Sequence, residues 1–375
     1  MKPIFSKSLR LPLILGAALW VPAARVSAQS PPSLSLQLSN GSARLSLTAD
    51  TASACTIQYR TGLSPTNTWQ FLTHFTPLSS SPRLVVDPGA AAAPRFYRAF
   101  AQQIPTNVLT TNMIWVSPGA FLMGSPANEA LRSADETQHT VTLTQGFFIG
   151  QYPVTQGQYL SLLNTNPSYF NTNNGFALDL KRPVEQVSWL DASNYCARLT
   201  QQQQSAGRIP TNWVYRLPTE SEWEYACRAG TATAFHFGPA IRGGMANFYT
   251  YYEYDASFGD ISVAHPPVPY LERPTAVGSY PPNAWGLYDL HGNLWEWCRD
   301  WYDDYPTGSV SDPQGPASGL QRVVRGGDWS GYGSDCRSAA RAVSYPPQKS
   351  ILVGFRVVLA PARAVSVLTI DTTAS

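Results

Sequence analysis

Three segments in the second half of the chain constrain its fold most. They are RLPTESEWEYACRAG from Arg216, NAWGLYDLHGNLWEWCRDWY from Asn283 and RVVRGGDWSGYGSDCRSAARAV from Arg322. Each combines aromatic side chains with turn-forming glycine or proline, and the whole chain has 11 Trp, 19 Tyr, 31 Pro and 27 Gly. Glycine and proline interrupt regular elements, whereas aromatic rings supply large buried areas. The sequence therefore predicts an α+β fold that is irregular, rich in loops and held together by aromatic packing.

The charge of the chain excludes two classes of partner. Its net charge is only +2 and 13% of its residues are charged, so its excess of positive charge is too small to hold a polyanion. Binding to nucleic acid or to an anionic membrane depends on clustered Lys and Arg, and the sequence has no such run. We therefore expect no nucleic-acid partner.

Residues 1–28 have the features of a secretory signal peptide. Lys2, Lys7 and Arg10 flank or precede the apolar run LPLILGAALWVPAA, and Val26-Ser27-Ala28 offers a small-residue cleavage site. The apolar run is too short to span a bilayer, and no later run is long enough for a membrane helix. We expect export to the periplasm or the medium, where disulfides persist.

A small all-β module is predicted for residues 30–101. Leu34, Leu36 and Leu38 alternate with polar residues, and Asn40-Gly41 then indicates a tight hairpin. This alternation is typical of a small β-sandwich, and no catalytic constellation falls within it. Residues 102–112 are predicted to be a linker, and residues 361–375 a tail.

From Met113 onward, a few helices are predicted among many turns. Three hydroxyl residues stand three positions before an acid or amide, the arrangement of an N-terminal capping box: Thr155, Ser188 and Thr219. Apolar residues follow the last two at helical spacing and predict buried faces, which comprise Ala192, Tyr195, Cys196 and Leu199, and Trp223, Ala226 and Cys227. The run MIWVSPGAFLMGS predicts a strand pair around Pro118-Gly119.

Seven motifs occur in order between Met113 and Leu359. They are GAFLMGS, IGQYPVTQGQY, RPVEQVSWLDASNYC, RLPTESEWEYACRAG, GLYDLHGNLWEW, RGGDW and GFRVV. Together they resemble the sulfatase-modifying-factor family, which has the fold of the formylglycine-generating enzyme. The resemblance implies that residues 113–360 form a large, irregular relative of the C-type lectin fold. It also implies an enzyme that oxidises a sulfatase cysteine with two of its own cysteines and copper.

The same resemblance implies calcium. The positions that match the family's calcium loop are Asp289, Gly292, Leu294 and Glu296. Calcium is held by several carboxylate and carbonyl oxygens, so this loop suits the ion chemically. The alternative is a loop whose carboxylates only cap the backbone or contact water. The positions that match a second family calcium are Asn247 and Phe248, with Asp255 or Asp260 as a third ligand.

The resemblance also locates the catalytic cysteines, and one of them is missing. Family oxidases have a cysteine four residues after the second glycine of R-G-G, where this chain has Gly331, and another at the position of Cys336. Cys336 also matches a structural cysteine of the family, which forms a disulfide with the position of Cys227. Under either match the thiolate pair is incomplete, and copper(I) favours two sulfur ligands. The second match implies a Cys227–Cys336 disulfide. Because the thiolate pair is incomplete, we expect no copper, and Cys336 is the candidate catalytic residue if it is a free thiol.

Two classes of function are compatible with these observations. The first is a calcium-binding accessory or binding protein that presents a groove near Asp328, Gly331 and Arg341 to an exported protein, a peptide or a glycan. The second is an oxidase of the formylglycine-generating type, or a related thiol- or iron-dependent oxidase, that modifies an exported protein. Iron stays open because a branch of the family resembled uses iron with histidine ligands, although the five histidines of this chain are scattered, which favours unrelated surface or core histidines. For Arg341, burial against carboxylates is the alternative to ligand binding. We favour the first class because the cysteine pair is incomplete.

Overall fold

The computed structural model describes residues 112–362 continuously, together with six strands of the N-terminal part. The predicted signal peptide 1–28, residues 104–111 of the predicted linker and the tail from residue 363 lie outside the described residues. The six strands are Ser33–Ser39 (β1), Ser42–Thr48 (β2), Ser53–Arg60 (β3), Gln70–Phe75 (β4), Arg83–Asp87 (β5) and Phe96–Gln103 (β6). They form two antiparallel three-stranded sheets, β1-β2-β5 and β4-β3-β6. Their packing as a β-sandwich stays a prediction.

Short strands, three α-helices and long connections make up residues 112–362. The strands are Met113–Val116 (β7), Gly119–Met123 (β8), His139–Leu143 (β9), Phe147–Gly150 (β10), Trp213–Arg216 (β11), Ala240–Ile241 (β12), Tyr252–Asp255 (β13), Gly259–Ser262 (β14), Trp295–Trp301 (β15), Val310–Ser311 (β16), Arg322–Arg325 (β17), Arg341–Ser344 (β18), Val353–Gly354 (β19) and Val358–Pro361 (β20). The helices are Gln156–Leu163 (α1), Trp189–Ser205 (α2) and Glu220–Arg228 (α3), and short 3-10 helices span Thr172–Asn174 and Gly333–Cys336. The predicted α+β class, rich in sheet and loop, is confirmed. Each helix in the described part of the chain is too short or too polar to span a bilayer.

The three α-helices begin where the sequence predicts. Each helix has a complete capping box, at Thr155, Ser188 and Thr219. The side chain of the cap residue accepts from the backbone N–H three residues later, and the side chain of that later residue accepts from the backbone N–H of the cap residue. Such reciprocal bonds satisfy two of the backbone donors that a helix start leaves unpaired. The predicted inner faces of α2 and α3 are buried in the core.

The strand pairing differs from the prediction at one point. β7 and β8 both form, but they do not pair with each other. β7 pairs with β10 in the antiparallel sheet β11-β20-β10-β7, whereas β8 pairs with β9 in the sheet β16-β9-β8. The chain therefore changes sheets at Ser117-Pro118, because each strand has a better partner later in the sequence.

The core combines tryptophan with buried ion pairs. Trp223 and Trp297 are both fully buried, and the Trp297 Nε1 donates to the carbonyl of Val187 at 3.0 Å. Glu224 on α3 accepts from Arg228 at 2.8 Å and from Arg325 at the end of β17. A buried charge is tolerated when it is paired and hydrogen-bonded, so these contacts hold β17 firmly against α3. The turn that follows β17 is positioned by this attachment.

Candidate functional site

The turn after β17 leads into Asp328 and Gly331, two of the residues predicted to line a groove. Gly326 and Gly327 have φ values of +102° and +77°. A Cβ on Gly327 would lie 2.6 Å from the Cys336 Sγ and 3.0 Å from the carbonyl oxygen of Asp335. Both the backbone conformation and the lack of space require glycine here. The turn can therefore lie directly against the 3-10 helix Gly333–Cys336.

Asp328 shapes the loop that carries Gly331. Its Oδ1 accepts from the Ser330 backbone N–H at 2.7 Å and from the Ser330 hydroxyl at 2.6 Å. The Gly331 N–H donates to the Asp328 carbonyl at 3.2 Å, and the Gly331 carbonyl accepts from the Tyr249 N–H at 2.8 Å. The structure thus connects Asp328 and Gly331 to each other and to the segment before β13.

Stacked aromatic rings surround Gly331. We call this set the tyrosine face, and its members are Tyr249, Tyr251, Tyr252, Tyr270, Trp329 and Tyr332. Tyr332 stacks on Tyr252 with 4.3 Å between ring centroids, and Tyr249 lies 4.9 Å from Tyr270. Tyr332 is 42% exposed and Tyr251 is 39% exposed. Ordered, exposed tyrosines offer rigid contact area with a polar tip, which is typical of binding surfaces.

Carboxyl groups lie beside the tyrosine face. A Cβ on Gly331 would lie 3.0 Å from Asp335 Oδ2 and 3.5 Å from Asp328 Oδ2. Burial raises the pKa of both carboxyls above the ordinary value. The surface near Gly331 therefore combines aromatic rings with the buried Asp328 and the partly buried Asp335, whose oxygens can accept from polar or cationic groups of a ligand.

Cys336 is unsuited to nucleophilic chemistry in this arrangement. It is fully buried, and its Sγ lies 3.6 Å from the carbonyl oxygen of Tyr332. Burial, together with nearby Asp335 and Asp328, raises the pKa of the Cys336 thiol well above its ordinary value. Because the thiolate is the reactive form of cysteine, this environment keeps Cys336 inert.

The disulfide expected between Cys227 and Cys336 is not formed in the structure, which has both as free thiols. The Cys227 Sγ instead lies 3.7 Å from the Ser338 Oγ and 3.8 Å from the His291 Nε2. Burial raises the pKa of the Cys227 thiol to about 12. All the cysteines of residues 112–362 are buried. The disulfide stays a prediction that thiol counting can decide.

Arg341, the third residue predicted for the groove, lies in a different cluster. Its Nε and Nη2 donate to Glu220 at 2.7 and 2.9 Å, and its Nη1 lies 3.3 Å from Asp135 Oδ2. Its guanidinium also lies over Tyr305, 4.0 Å from the ring centroid. None of these partners belongs to the tyrosine face, and the side chain is only 2% exposed. Arg341 is therefore buried against carboxylates, the alternative that the sequence left open.

The residues predicted to hold calcium lie around a buried arginine. Glu296 is fully buried, and its carboxylate accepts from Arg356 Nε at 2.6 Å and Nη2 at 2.7 Å, and from Trp223 Nε1 at 2.7 Å. The Arg356 Nη2 also donates to the carbonyl of Tyr288 at 2.8 Å. Glu296 is therefore neutralised by Arg356 and has little capacity left for a metal ion.

Asp289 suits a cation better than Glu296 does. Its Oδ2 accepts from the Gly278 N–H at 2.7 Å, whereas its Oδ1 is buried without a hydrogen-bond partner. Burial raises the pKa of Asp289 to about 6. Calcium takes about six to eight oxygens, and a guanidinium lies beside this loop. The predicted set with Gly292, Leu294 and Glu296 therefore does not fit as a whole, and calcium binding stays a prediction centred on Asp289.

The residues predicted for a second calcium contact different partners. The Asn247 Nδ2 donates to the carbonyl of Arg273 at 3.0 Å, and Phe248 is fully buried in the core. Asp255 lies 3.4 Å from Arg242, and Asp260 accepts from the N–H and hydroxyl of Ser334. These contacts give no support to a shared site. Within the described residues, no group of three or more His, Cys, Asp or Glu is placed to hold a metal ion.

The structure brings together two histidines that are far apart in the sequence. His236 and His291 stack with 4.9 Å between ring centroids. The His291 Nδ1 lies 2.7 Å from the Cys336 carbonyl and so donates, while its Nε2 accepts from the His236 N–H at 3.2 Å. Burial lowers the pKa of His236 to about 4 and that of His291 to about 3. Both rings are therefore neutral, and His291 contacts the end of the 3-10 helix Gly333–Cys336 through the Cys336 carbonyl.

Sequence reasoning missed the tyrosine face. The run FYTYYEY, from Phe248, carries three of its rings and was the local signal that could have identified it. Tyr270, Trp329 and Tyr332 come from other loops and join it through tertiary contacts. No local pattern marks the histidine stack, because its two rings are 55 residues apart.

Comparisons with known proteins agree with this fold. A family model described as "Sulfatase-modifying factor enzyme 1-like domain" matches residues 99–361, more than half of the chain. The "Formylglycine-generating enzyme" of Streptomyces coelicolor is 28% identical over 333 residues, which cover 74% of this chain and 94% of that protein. The "Serine/threonine-protein kinase pkn1" of Chlamydia pneumoniae is 30% identical over 290 residues, which cover 70% of this chain but only 40% of the kinase.

A solved structure has a similar architecture. Treponema denticola variable protein 1 superimposes with a TM-score of 0.54 at 27% sequence identity, covering 66% of this chain and 95% of that one. The match of the family model to residues 99–361 indicates that this part of the chain has the family's fold. The ligand is left open by these similarities.

Proposed function

Because the chain belongs to the sulfatase-modifying-factor family, we propose that it is an exported binding or accessory protein of that family that does not form formylglycine. One observation carries the proposal: no reactive thiol is available at the turn after β17. Gly331 stands where the family resemblance requires a cysteine, and Cys336 is fully buried. A buried, neutral thiol is neither a good nucleophile nor a good copper ligand.

The tyrosine face is the ligand surface in this proposal. It surrounds Gly331, so it occupies the place where the oxidases would act on a cysteine. Its exposed rings, with Asp328 and Asp335 beside them, can bind an extended peptide or a glycan through stacking and hydrogen bonds. The Chlamydia kinases are longer proteins of which this chain spans about two fifths, and no kinase activity is carried over from them.

Export and calcium binding complete the proposal. Export rests on the signal-peptide features of residues 1–28. Calcium binding rests on the family match and on the unpartnered Oδ1 of Asp289. A bound calcium would stabilise the loop before β15. Asp289 would be its carboxylate ligand, and the family resemblance implies the backbone carbonyls of Gly292 and Leu294 as further ligands.

The absence of oxidase activity is tested directly. The purified protein is incubated with copper, oxygen and a peptide that bears the sulfatase motif, and the peptide is examined for an aldehyde by mass spectrometry. We expect no aldehyde. Turnover that disappears in Cys336→Ser would contradict the proposal and identify a single-cysteine oxidase. Turnover that survives this change would place the chemistry in another part of the chain.

Binding is tested with the same peptide, labelled for fluorescence anisotropy. We expect saturable binding without turnover, weakened in both Tyr252→Ala and Tyr332→Ala because the stacked rings lose contact area. Phe258→Ala is the matched control, since Phe258 is an 81% exposed aromatic residue outside the tyrosine face. If the peptide does not bind, a glycan array provides the second ligand class. Binding that is equally insensitive to all three changes would show that the tyrosine face is not the ligand surface.

A further inference from the structure

A second concave surface lies apart from the tyrosine face. It is a cleft of about 770 Å³ between α1, α2 and one end of the sheet β11-β20-β10-β7. Its volume is within the range of sites that bind small organic ligands, roughly 300–1,000 Å³. No member of the tyrosine face lines it. The proposed function therefore makes no use of this cleft.

The floor of the cleft is apolar and aromatic. Val154 and Tyr195 are buried there, and Tyr195 stacks on Tyr159 with 5.5 Å between ring centroids. Tyr152 and Tyr215 line the walls and are partly exposed. Because α2 packs on β11 and the rings are held by the core, this surface is already formed without a ligand. Preformed aromatic walls can pack against the flat, less polar faces of a ligand.

The rim of the cleft is polar and positively charged. Lys181 and Arg208 both line the cleft and are exposed. Lys181 lies on the connection between α1 and α2, and Arg208 on the connection between α2 and β11. None of the residues that line the cleft is Asp or Glu. The nearby Asp179 is engaged with the backbone N–H of Lys181 and with Arg182. The two cations are therefore not neutralised by the cleft itself.

Amide and hydroxyl groups also line the cleft. Gln158, Gln202 and Gln203 contribute carboxamides, and Ser161 contributes a hydroxyl. The Gln158 Oε1 accepts from the Thr155 N–H as part of the α1 cap, which leaves its amide hydrogens as donors. Carboxamides and hydroxyls both donate and accept, so they match the hydroxyl groups of a sugar more closely than they match a purely apolar ligand.

From this combination, we infer that the cleft binds an acidic saccharide. The carboxylate would contact Lys181 or Arg208, the sugar hydroxyls would bond to the carboxamides, and the sugar rings would pack on the partly exposed Tyr152 and Tyr215. Charge-assisted bonds from Lys and Arg to a carboxylate are the strongest of these contacts. Binding should therefore require the acid group and should weaken as salt concentration rises.

The experiment is isothermal titration calorimetry of the purified protein with tetragalacturonate, and with maltotetraose as the neutral probe. We expect saturable binding of tetragalacturonate that is at least tenfold tighter than that of maltotetraose. Lys181→Glu and Arg208→Glu should each weaken it about tenfold or more, a loss of about 1.4 kcal/mol or more. Ser161→Trp should block the cleft sterically without changing its charge.

Matched controls separate the cleft from the rest of the surface. Arg198→Glu makes the same charge change on an exposed position of α2 that does not line the cleft, and Ser205→Trp places the same ring at the end of α2. Both should bind as the unchanged protein does, and so should Tyr332→Ala, so that failure here leaves the proposed function untouched. The inference is overturned by a lack of saturable binding, by equal affinity for maltotetraose, or by equal losses in Arg198→Glu and Arg208→Glu.

Discussion

Replacing Glu296 by glutamine should strongly destabilise the protein, because the buried Arg356 then has no negatively charged partner. Arg356 is fully buried and donates two hydrogen bonds, of 2.6 and 2.7 Å, to the Glu296 carboxylate. Glu296→Gln removes the negative charge but keeps the size of the side chain. Removal of one partner of a buried ion pair costs about 3–5 kcal/mol, since the remaining charge is left uncompensated. At about 2–4 °C per kcal/mol for a domain of this size, the melting temperature should fall by roughly 6–20 °C.

A double-mutant cycle isolates this interaction. Glu296→Gln, Arg356→Met and the double variant are compared by thermal and urea unfolding, with exposed Glu272→Gln and Arg198→Met as controls for the same side-chain changes. The double variant should be clearly more stable than the sum of the single effects implies, because neither charge is then left unpaired. The controls should change the unfolding free energy by less than about 0.5 kcal/mol.

The same measurements distinguish a structural ion pair from a calcium ligand. If Glu296 is the partner of Arg356, its replacement destabilises the protein equally in calcium and in EGTA. A loss that appears only in calcium would identify Glu296 as a calcium ligand and refute this reasoning. A loss below about 1 kcal/mol in both conditions would refute the importance of the ion pair itself.

Three further predictions concern calcium, the thiols and pH. EGTA should lower the melting temperature and calcium should restore it, with about 2.7 kcal/mol of stabilisation when calcium is in hundredfold excess over its dissociation constant. Asp289→Asn should abolish this response. An unchanged melting curve, together with no calcium by elemental analysis, would contradict the site. In a Cys55→Ser background, Ellman's reagent should find no reactive thiol in the native protein, because the cysteines of residues 112–362 are buried. In denaturant, four reactive thiols would match the structure. Two would reveal one disulfide, and non-reducing peptide mapping would show whether it joins Cys227 to Cys336. Burial raises the pKa of Glu185 from 4.5 to about 7, so the native state holds a proton that the unfolded state releases, and stability should fall as pH rises from 4.5 to 7. Glu185→Gln should flatten this part of the profile in thermal unfolding between pH 4.5 and 8, and an unaltered profile would mean that Glu185 titrates normally.

The sequence by itself determined the features that depend on neighbours along the chain. The starts of α1, α2 and α3 were predictable because a capping box is complete within four residues. Their buried faces were predictable because helical periodicity repeats over a few turns. The seven ordered motifs identified the family and the α+β fold, and the glycine at position 331 already showed that a cysteine was missing.

Tertiary structure decided which distant residues meet, and this set the character of the candidate site. Glu296 pairs with Arg356 across 60 residues, and Arg341 pairs with Glu220 across 121 residues. The family resemblance presented Glu296 as a candidate calcium ligand, and the sequence left Arg341 open between ligand binding and burial against carboxylates. Because burial removes a charge from water, a buried charged group needs an oppositely charged partner nearby. Which partner is near depends on the tertiary structure, so it cannot be predicted from the sequence around the residue. The tyrosine face arises in the same way, since its rings come from separate loops that only the folded chain gathers around Gly331.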